Sequence, residues 1–140
     1  MEREKLLTRR SRSDEAQSWP QAEAAILTAG EDANVALRAR ANDPEAWLER
    51  AQVADLESRL FTARGDESAA HHSRDLARAD YDMAVGLSSE DRRALALRGL
   101  QRAKSVEDAG ARTDLEAAIA GPLDRDLKAR VLAEVDRLRR

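Results

Sequence analysis

The feature that most constrains this chain is a nine-residue pattern that occurs twice, without a gap. Residues 77–85 read Ala-Arg-Ala-Asp-Tyr-Asp-Met-Ala-Val, and residues 111–119 read Ala-Arg-Thr-Asp-Leu-Glu-Ala-Ala-Ile, so each position i recurs at i+34. A fixed period of about 34 residues is typical of a two-helix unit that stacks on its neighbour to bury a shared core. The sequence therefore predicts an all-α fold of antiparallel helix hairpins stacked as a short α-solenoid.

Composition favours the same class and excludes several others. Aromatic residues make up 3% and charged residues 36% of the 140 residues, there is no cysteine, and the net charge is −3. The length indicates one domain, and the lack of cysteine excludes a disulfide framework and thiolate chemistry. No apolar run approaches the ~18–20 residues of a membrane span, and the first residues lack a signal-peptide core. We expect a cytoplasmic protein that contacts no membrane.

The N-terminal part of the chain differs in pattern from the rest. Residues 1–17 are charged and lack a sustained apolar stripe, so we predict a flexible segment before a helical domain over residues 18–140. Its cluster Arg9-Arg10-Ser11-Arg12 carries no interleaved aromatics, which favours a solvated tail over nucleic-acid binding. Ser18-Trp19-Pro20 predicts a helix start. Gly30 either lies inside one helix or ends a first short helix, and one helix is the preferred interpretation.

Capping residues divide the rest of the chain. Asp43 followed by Pro44 is the clearest helix start, Ser88 or Ser89 is the predicted cap of a later helix, and Asp124 is the predicted cap of the last. Helical periodicity between these signals predicts six helices. Their predicted ranges are 20–41, 44–64, 67–87, 90–104, 109–120 and 125–139.

These residues resemble the tetratricopeptide repeat family, in which a first helix (A) and a second helix (B) alternate along the chain. The resemblance covers about residues 29–137, with the last helix as a C-terminal cap. Residues that match the A pattern are Trp47, Ala51, Leu95, Arg98 and Gly99, followed by Ala129, Leu132 and Ala133. Residues that match the B pattern are Ala77, Tyr81, Ala84, Ala111, Leu115 and Ala118, preceded by a degenerate set of Ala29, Ala33 and Ala36.

One spacing departs from the family pattern and predicts an overlong hairpin. In the second hairpin the A-pattern residue Leu95 and the B-pattern residue Leu115 stand at i and i+20. In the first hairpin the corresponding residues, Trp47 and Tyr81, stand at i and i+34, so the first hairpin has 14 extra residues. Divided between two helices, the surplus adds about 10 Å to each. We predict that residues 45–87 project beyond the stack. Phe61 would then form an apolar patch near the tip or pack inward against the returning helix.

Catalytic and metal-binding patterns are missing from the sequence. His71 and His72 are adjacent, so on a helix they point about 100° apart and are poorly placed to share a metal ion. Acidic pairs such as Asp80 and Asp82 lie on different helix faces, and no phosphate-binding loop or nucleophile motif occurs. We expect no enzyme activity, no cofactor and no metal.

The remaining function is protein binding. The resemblance implies that A helices line a groove for a peptide or helix of another protein, and the overlong hairpin is the second predicted place for such a partner to bind. In one subset of the family, Lys and Asn side chains on successive A helices bind the C-terminal carboxylate of a partner. The matching positions here are Leu48, Gln52, Ala96 and Leu100, so this carboxylate-binding site is missing from the sequence. Candidate partner-binding residues are Leu48, Gln52, Leu56, Leu60, Phe61, Arg93, Leu97 and Leu100, several of which would otherwise pack against the next helix. The alternative function is structural self-association, as a homodimer or within a larger assembly.

Overall fold

The structure, a computed structural model, describes residues 2–104 and 108–140, with side chains from residue 20 onward except those of residues 105–109. Within these residues the chain forms six α-helices and no strand, which confirms the all-α prediction and gives a helical repeat-like fold. The helices are α1 Glu2–Ala39, α2 Pro44–Ala63, α3 Glu67–Leu87, α4 Arg92–Arg102, α5 Asp108–Ile119 and α6 Arg125–Leu138.

Helix α1 begins at Glu2, well before the start that the sequence predicted. The predicted start at Pro20 is wrong, because Pro20 lies inside a continuous helix that also passes through Gly30 as one element. A proline inside a helix removes one backbone hydrogen bond and its ring crowds the carbonyl four residues earlier, at a cost of about 3 kcal/mol. The residues before it include many good helix formers, such as Glu, Lys, Leu and Arg, which favour continuation. The flexibility proposed for residues 1–17 stays a prediction.

Aspartate side chains start four of the helices. Each accepts a hydrogen bond from a backbone N–H two or three residues later, and so satisfies a donor that has no partner within the helix. The prediction of Ser88 or Ser89 as a cap is wrong, because Ser88 instead ends α3. A carboxylate also interacts favourably with the positive end of the helix dipole. The four capping residues are Asp43, Asp66, Asp91 and Asp124.

The helices stack in chain order around one core. Helices α2 and α3 form a first hairpin and α4 and α5 a second, while α1 packs on α2 and α6 packs on α5 and α4. The repeated pattern supplies the centre of this core, since Tyr81 and Leu115 occupy equivalent positions and are both buried. Ala84 and Ala118, the next equivalent pair, are fully buried and allow neighbouring helices to approach closely.

A repeated ion pair ties the two helices of each hairpin together. Arg50 Nε and Nη2 donate to Asp80 at 2.8 and 2.9 Å, and Arg98 Nε and Nη2 donate to Asp114 at 2.8 Å each. Both aspartates are buried and stand at i and i+34, the same position of the repeat. Bidentate arginine–carboxylate pairs fix the relative position of the two side chains and also stabilise the fold. They therefore set the register within each hairpin.

The first hairpin is longer than the second, as the spacing predicted. Helices α2 and α3 have 20 and 21 residues, whereas α4 and α5 have 11 and 12. The capping residues at the starts of α2 and α4, Asp43 and Asp91, stand at i and i+48. The equivalent aspartates of α3 and α5, Asp80 and Asp114, stand at i and i+34. The difference between these two offsets confirms that the first hairpin has 14 more residues than the second. We call residues 55–73 the overhang. At 1.5 Å per residue, α2 extends roughly 13 Å beyond the level at which α4 ends.

Candidate functional site

The two flanks of the overhang have different surroundings. On one flank α1 runs alongside, and Glu23 forms an ion pair with Arg64 near the tip. On the other flank α4 is too short to cover it, which leaves a groove of about 570 Å³. Its lining comes from α2, from α3, from the last turn of α4 and from the residues just after α4. The residues are Asp55, Ser58, Arg59, Thr62, Ala63, His71, Arg74, Asp75, Arg78, Gln101 and Lys104.

Hydrogen bonds hold the floor of this groove in place. The buried Tyr81 hydroxyl donates to Asp55 Oδ2 at 2.6 Å, and Ser58 Oγ donates to the Asp55 carbonyl at 2.7 Å. Burial, the Asp55 charge and this hydrogen bond raise the pKa of Tyr81 well above its ordinary value. Gln101 Nε2 donates to the Arg74 carbonyl at 3.0 Å and so links the end of α4 to α3. The groove is therefore built on fixed elements.

Positive charge in the groove exceeds its negative charge. Arg59 and Lys104 form no ion pair with any carboxylate among the described side chains, whereas Arg74 lies 3.9 Å from Glu67. Loss of solvation lowers the pKa of Lys104, and the nearby guanidinium groups of Arg59 and Arg130 lower it further. The carboxylates of Asp55 and Glu134 raise the pKa of Lys104 and so offset part of this effect. A further anionic group placed there would favour the charged form of Lys104.

None of the eight residues predicted to bind a partner lines the groove. Leu48, Leu97 and Leu100 are buried in the core, which is the alternative that the sequence left open for them. Leu56 is exposed on another side of α2. The remaining four are half-buried, and one of them, Arg93, forms an ion pair with Glu45. The half-buried residues are Gln52, Leu60, Phe61 and Arg93.

The sequence contained one signal for this groove, and the residue predictions applied it to apolar side chains, Leu56, Leu60 and Phe61, that do not line it. A surplus of 14 in one hairpin and none in the next implies an uncovered flank. Which charged side chains face that flank depends on where α4 ends relative to α2. Arg59 and Lys104 are distant in sequence, and only the stacking of α4 beside the overhang brings them to one groove.

The two histidines and the long helices are the remaining features of the described part of the chain. His71 Nε2 lies 3.5 Å from Asp75 Oδ2 on an exposed helix surface, and no cluster of three potential ligands occurs among the described side chains. Over the same residues, none of the helices combines the length and the apolar character needed to cross a membrane. The cationic groove is therefore the strongest candidate site in the described structure.

Comparison with protein-family models, with curated proteins and with solved structures finds no match to this chain.

Proposed function

We propose that this chain is a non-catalytic protein-binding module that holds an acidic segment of another protein in the groove beside the overhang. The observation that carries the proposal is the pair of cations, Arg59 and Lys104, that face the groove without a described carboxylate partner. A segment with several Asp or Glu side chains would supply the missing negative charge. Complementary charge of this kind increases the association rate and selects among partners.

The architecture also supports a binding role. An α-helical stack that resembles the tetratricopeptide repeat family offers extended surfaces rather than an enclosed pocket. An adaptor or scaffold uses such surfaces to bring another protein to a fixed position. The overhang would serve as one wall of the binding site and the end of α4 as the other. The cytoplasmic location expected from the sequence stays a prediction.

The experiment measures binding of a fluorescent oligo-glutamate peptide by anisotropy at low and at physiological salt. We expect the wild-type protein to bind it and the combined variant Arg59→Glu, Lys104→Glu to bind at least about tenfold more weakly. The matched control is Arg125→Glu, Lys128→Glu, which makes the same charge change on exposed residues of α6 outside the groove. An oligo-lysine peptide serves as the second control.

Equal weakening by the groove variant and the α6 control would contradict the proposal, because it would show a general charge effect. Strong binding of oligo-lysine would contradict it as well. In parallel, a photo-crosslinking residue at Thr62, which lines the groove, would identify the natural partner in native lysate. Crosslinking that requires Arg59 and Lys104 would support the proposal.

A further inference from the structure

Helix α1 packs in the position of the second helix of a hairpin, and no helix among the described residues takes the place of the first helix of that hairpin. Arg50 Nη1 donates to Asn34 Oδ1 on α1 at 3.3 Å, and Arg98 Nη1 lies 3.4 Å from Asp82 Oδ1 on α3. The two arginines stand at i and i+48, and so do Asn34 and Asp82. The packing of α1 on α2 therefore repeats the packing of α3 on α4 at these positions.

In this register Asp32 of α1 is equivalent to Asp80 and Asp114. Each of those two is buried and accepts two hydrogen bonds from an arginine on the preceding helix of its hairpin. Asp32 is exposed and pairs with no cation among the described side chains. Asp32 therefore has no described arginine in the position where Asp80 and Asp114 each bind one.

The rest of this face of α1 is uncovered in the same way. On α3 the equivalent face is fully or almost fully buried by α2, as shown by Ala70, Ser73, Ala77 and Ala84. On α1 the corresponding side chains are exposed or only half-buried: Ala22, Ala25, Ala29 and Ala36. The face therefore presents small side chains beside Asp32, and no described helix covers it.

The sequence of this chain contains such a helix near its start. Residues 95–99 of α4 read Leu-Ala-Leu-Arg-Gly, with the arginine three positions after a leucine and directly before a small residue. Residues 7–11 read Leu-Thr-Arg-Arg-Ser, which keeps the leucine, the second arginine and the small residue at the same spacing. The N-terminal part of the sequence therefore repeats, at Arg10, the pattern that surrounds Arg98.

One copy of the chain is unable to bring these two parts together while α1 is continuous. Arg10 and Asp32 stand at i and i+22 on α1, which corresponds to about 33 Å along a straight helix. In an antiparallel pair of such helices, Arg10 of one copy lies opposite Asp32 of the other. Both ion pairs then form at once about a twofold axis near Gln21, as expected for a symmetric dimer.

We propose that the α1 helices of two copies pack antiparallel, so that the N-terminal half of each covers the open face of the other and Arg10 binds Asp32 between copies. The N-terminal half of α1 then acts as the missing first helix of the stack in the second copy. This surface is separate from the groove, and its use does not depend on what the groove binds.

The test exploits the fact that each ion pair joins two copies. In Arg10→Asp homodimers, and likewise in Asp32→Arg homodimers, both contacts bring like charges together, so we expect the dissociation constant to rise at least about tenfold. A mixture of the two variants is different, because one of the two contacts in the heterodimer joins Asp at position 10 to Arg at position 32, and the other joins the native Arg10 to the native Asp32. We expect wild-type dimers, single variants that dissociate, and a mixture that forms heterodimers, measured by light scattering after size exclusion.

Glu31→Arg is the matched control, since it makes the same charge change one residue away on a different side of α1 and should leave the dimer intact. Circular dichroism of each single variant checks that it remains folded. A wild-type protein that is monomeric at every accessible concentration would overturn the proposal. So would a mixture that stays monomeric, because residues 2–19 would then act within one chain or not at all.

Discussion

Replacing Asp114 with Ala should be among the most destabilising single changes to a charged residue in the described structure. Asp114 is buried and accepts two hydrogen bonds from Arg98 at 2.8 Å and one from Arg102 Nη1 at 3.0 Å. The hydrogen bonds to Asp114 also raise the pKa of Arg98, which shows that the charged form is favoured there. Its loss would leave two arginines without this carboxylate.

The magnitude follows from how well water can replace that carboxylate. Removing one partner of a buried ion pair costs roughly 3–5 kcal/mol. The side chains of Arg98 and Arg102 are 17% and 21% exposed, so partial hydration places the expected loss near the lower end, at about 3 kcal/mol. The equivalent change Asp80→Ala should cost less, about 1–2 kcal/mol, because its one arginine, Arg50, is already 37% exposed.

Urea unfolding followed by circular dichroism at pH 7 measures the free energy of unfolding of each variant. The control is Asp82→Ala, an aspartate that is 46% exposed and lies 3.4 Å from Arg98 and from Arg102, and it should change stability by no more than about 0.5 kcal/mol. A loss below about 1 kcal/mol for Asp114→Ala would refute the reasoning. A larger loss for Asp80→Ala than for Asp114→Ala would refute the hydration argument.

Three further experiments test the packing of the repeats and the ionisation of the buried tyrosine. Leu at Ala84 or at Ala118, both fully buried, should destabilise by roughly 1–3 kcal/mol, and unchanged melting temperatures would contradict the equivalence of these positions. A methyl group at Gly99 would come within 2.7 Å of a buried leucine on α5, so Gly99→Ala should lose about 1 kcal/mol while the uncrowded control Gly86→Ala gains a few tenths. Because the folded-state pKa of Tyr81 is raised, stability should be complete below about pH 10 and fall above it as the unfolded chain loses this proton, by up to about 1.4 kcal/mol per pH unit. Phe at Tyr81, the only tyrosine, should remove that alkaline fall in a urea titration.

Local signals in the sequence determined most of the helices. The Asp43 cap followed by Pro44, the turn at Gly65 and the cap at Asp124 act within a few residues, so their effect could be predicted without any tertiary contact. The helix predicted over residues 67–87 has the observed bounds. The repeat period determined the all-α class and the equivalence of Tyr81 with Leu115, because buried positions recur with the repeat.

Local signals in the sequence predicted the wrong start for two helices, α1 and α4. Proline favours the first turn of a helix, which predicted a start at Pro20, but a helix is cooperative and the neighbouring residues continue it. Ser88 and Ser89 have the chemistry of a cap, and the helix nevertheless begins after Asp91. In each case several nearby residues could start the helix with similar free energy, and the local sequence did not show which of them does.

Only the tertiary structure decided which side chains are available to a partner. Leu48, Leu97 and Leu100 have the periodicity of a groove or of a core, and stacking placed them in the core. Arg59 and Lys104 are distant in sequence and became neighbours because α4 ends beside the overhang. Sequence periodicity records which residues lie on one helix face. What covers that face depends on the length and register of another helix, which is a property of the packed molecule and not of any one segment.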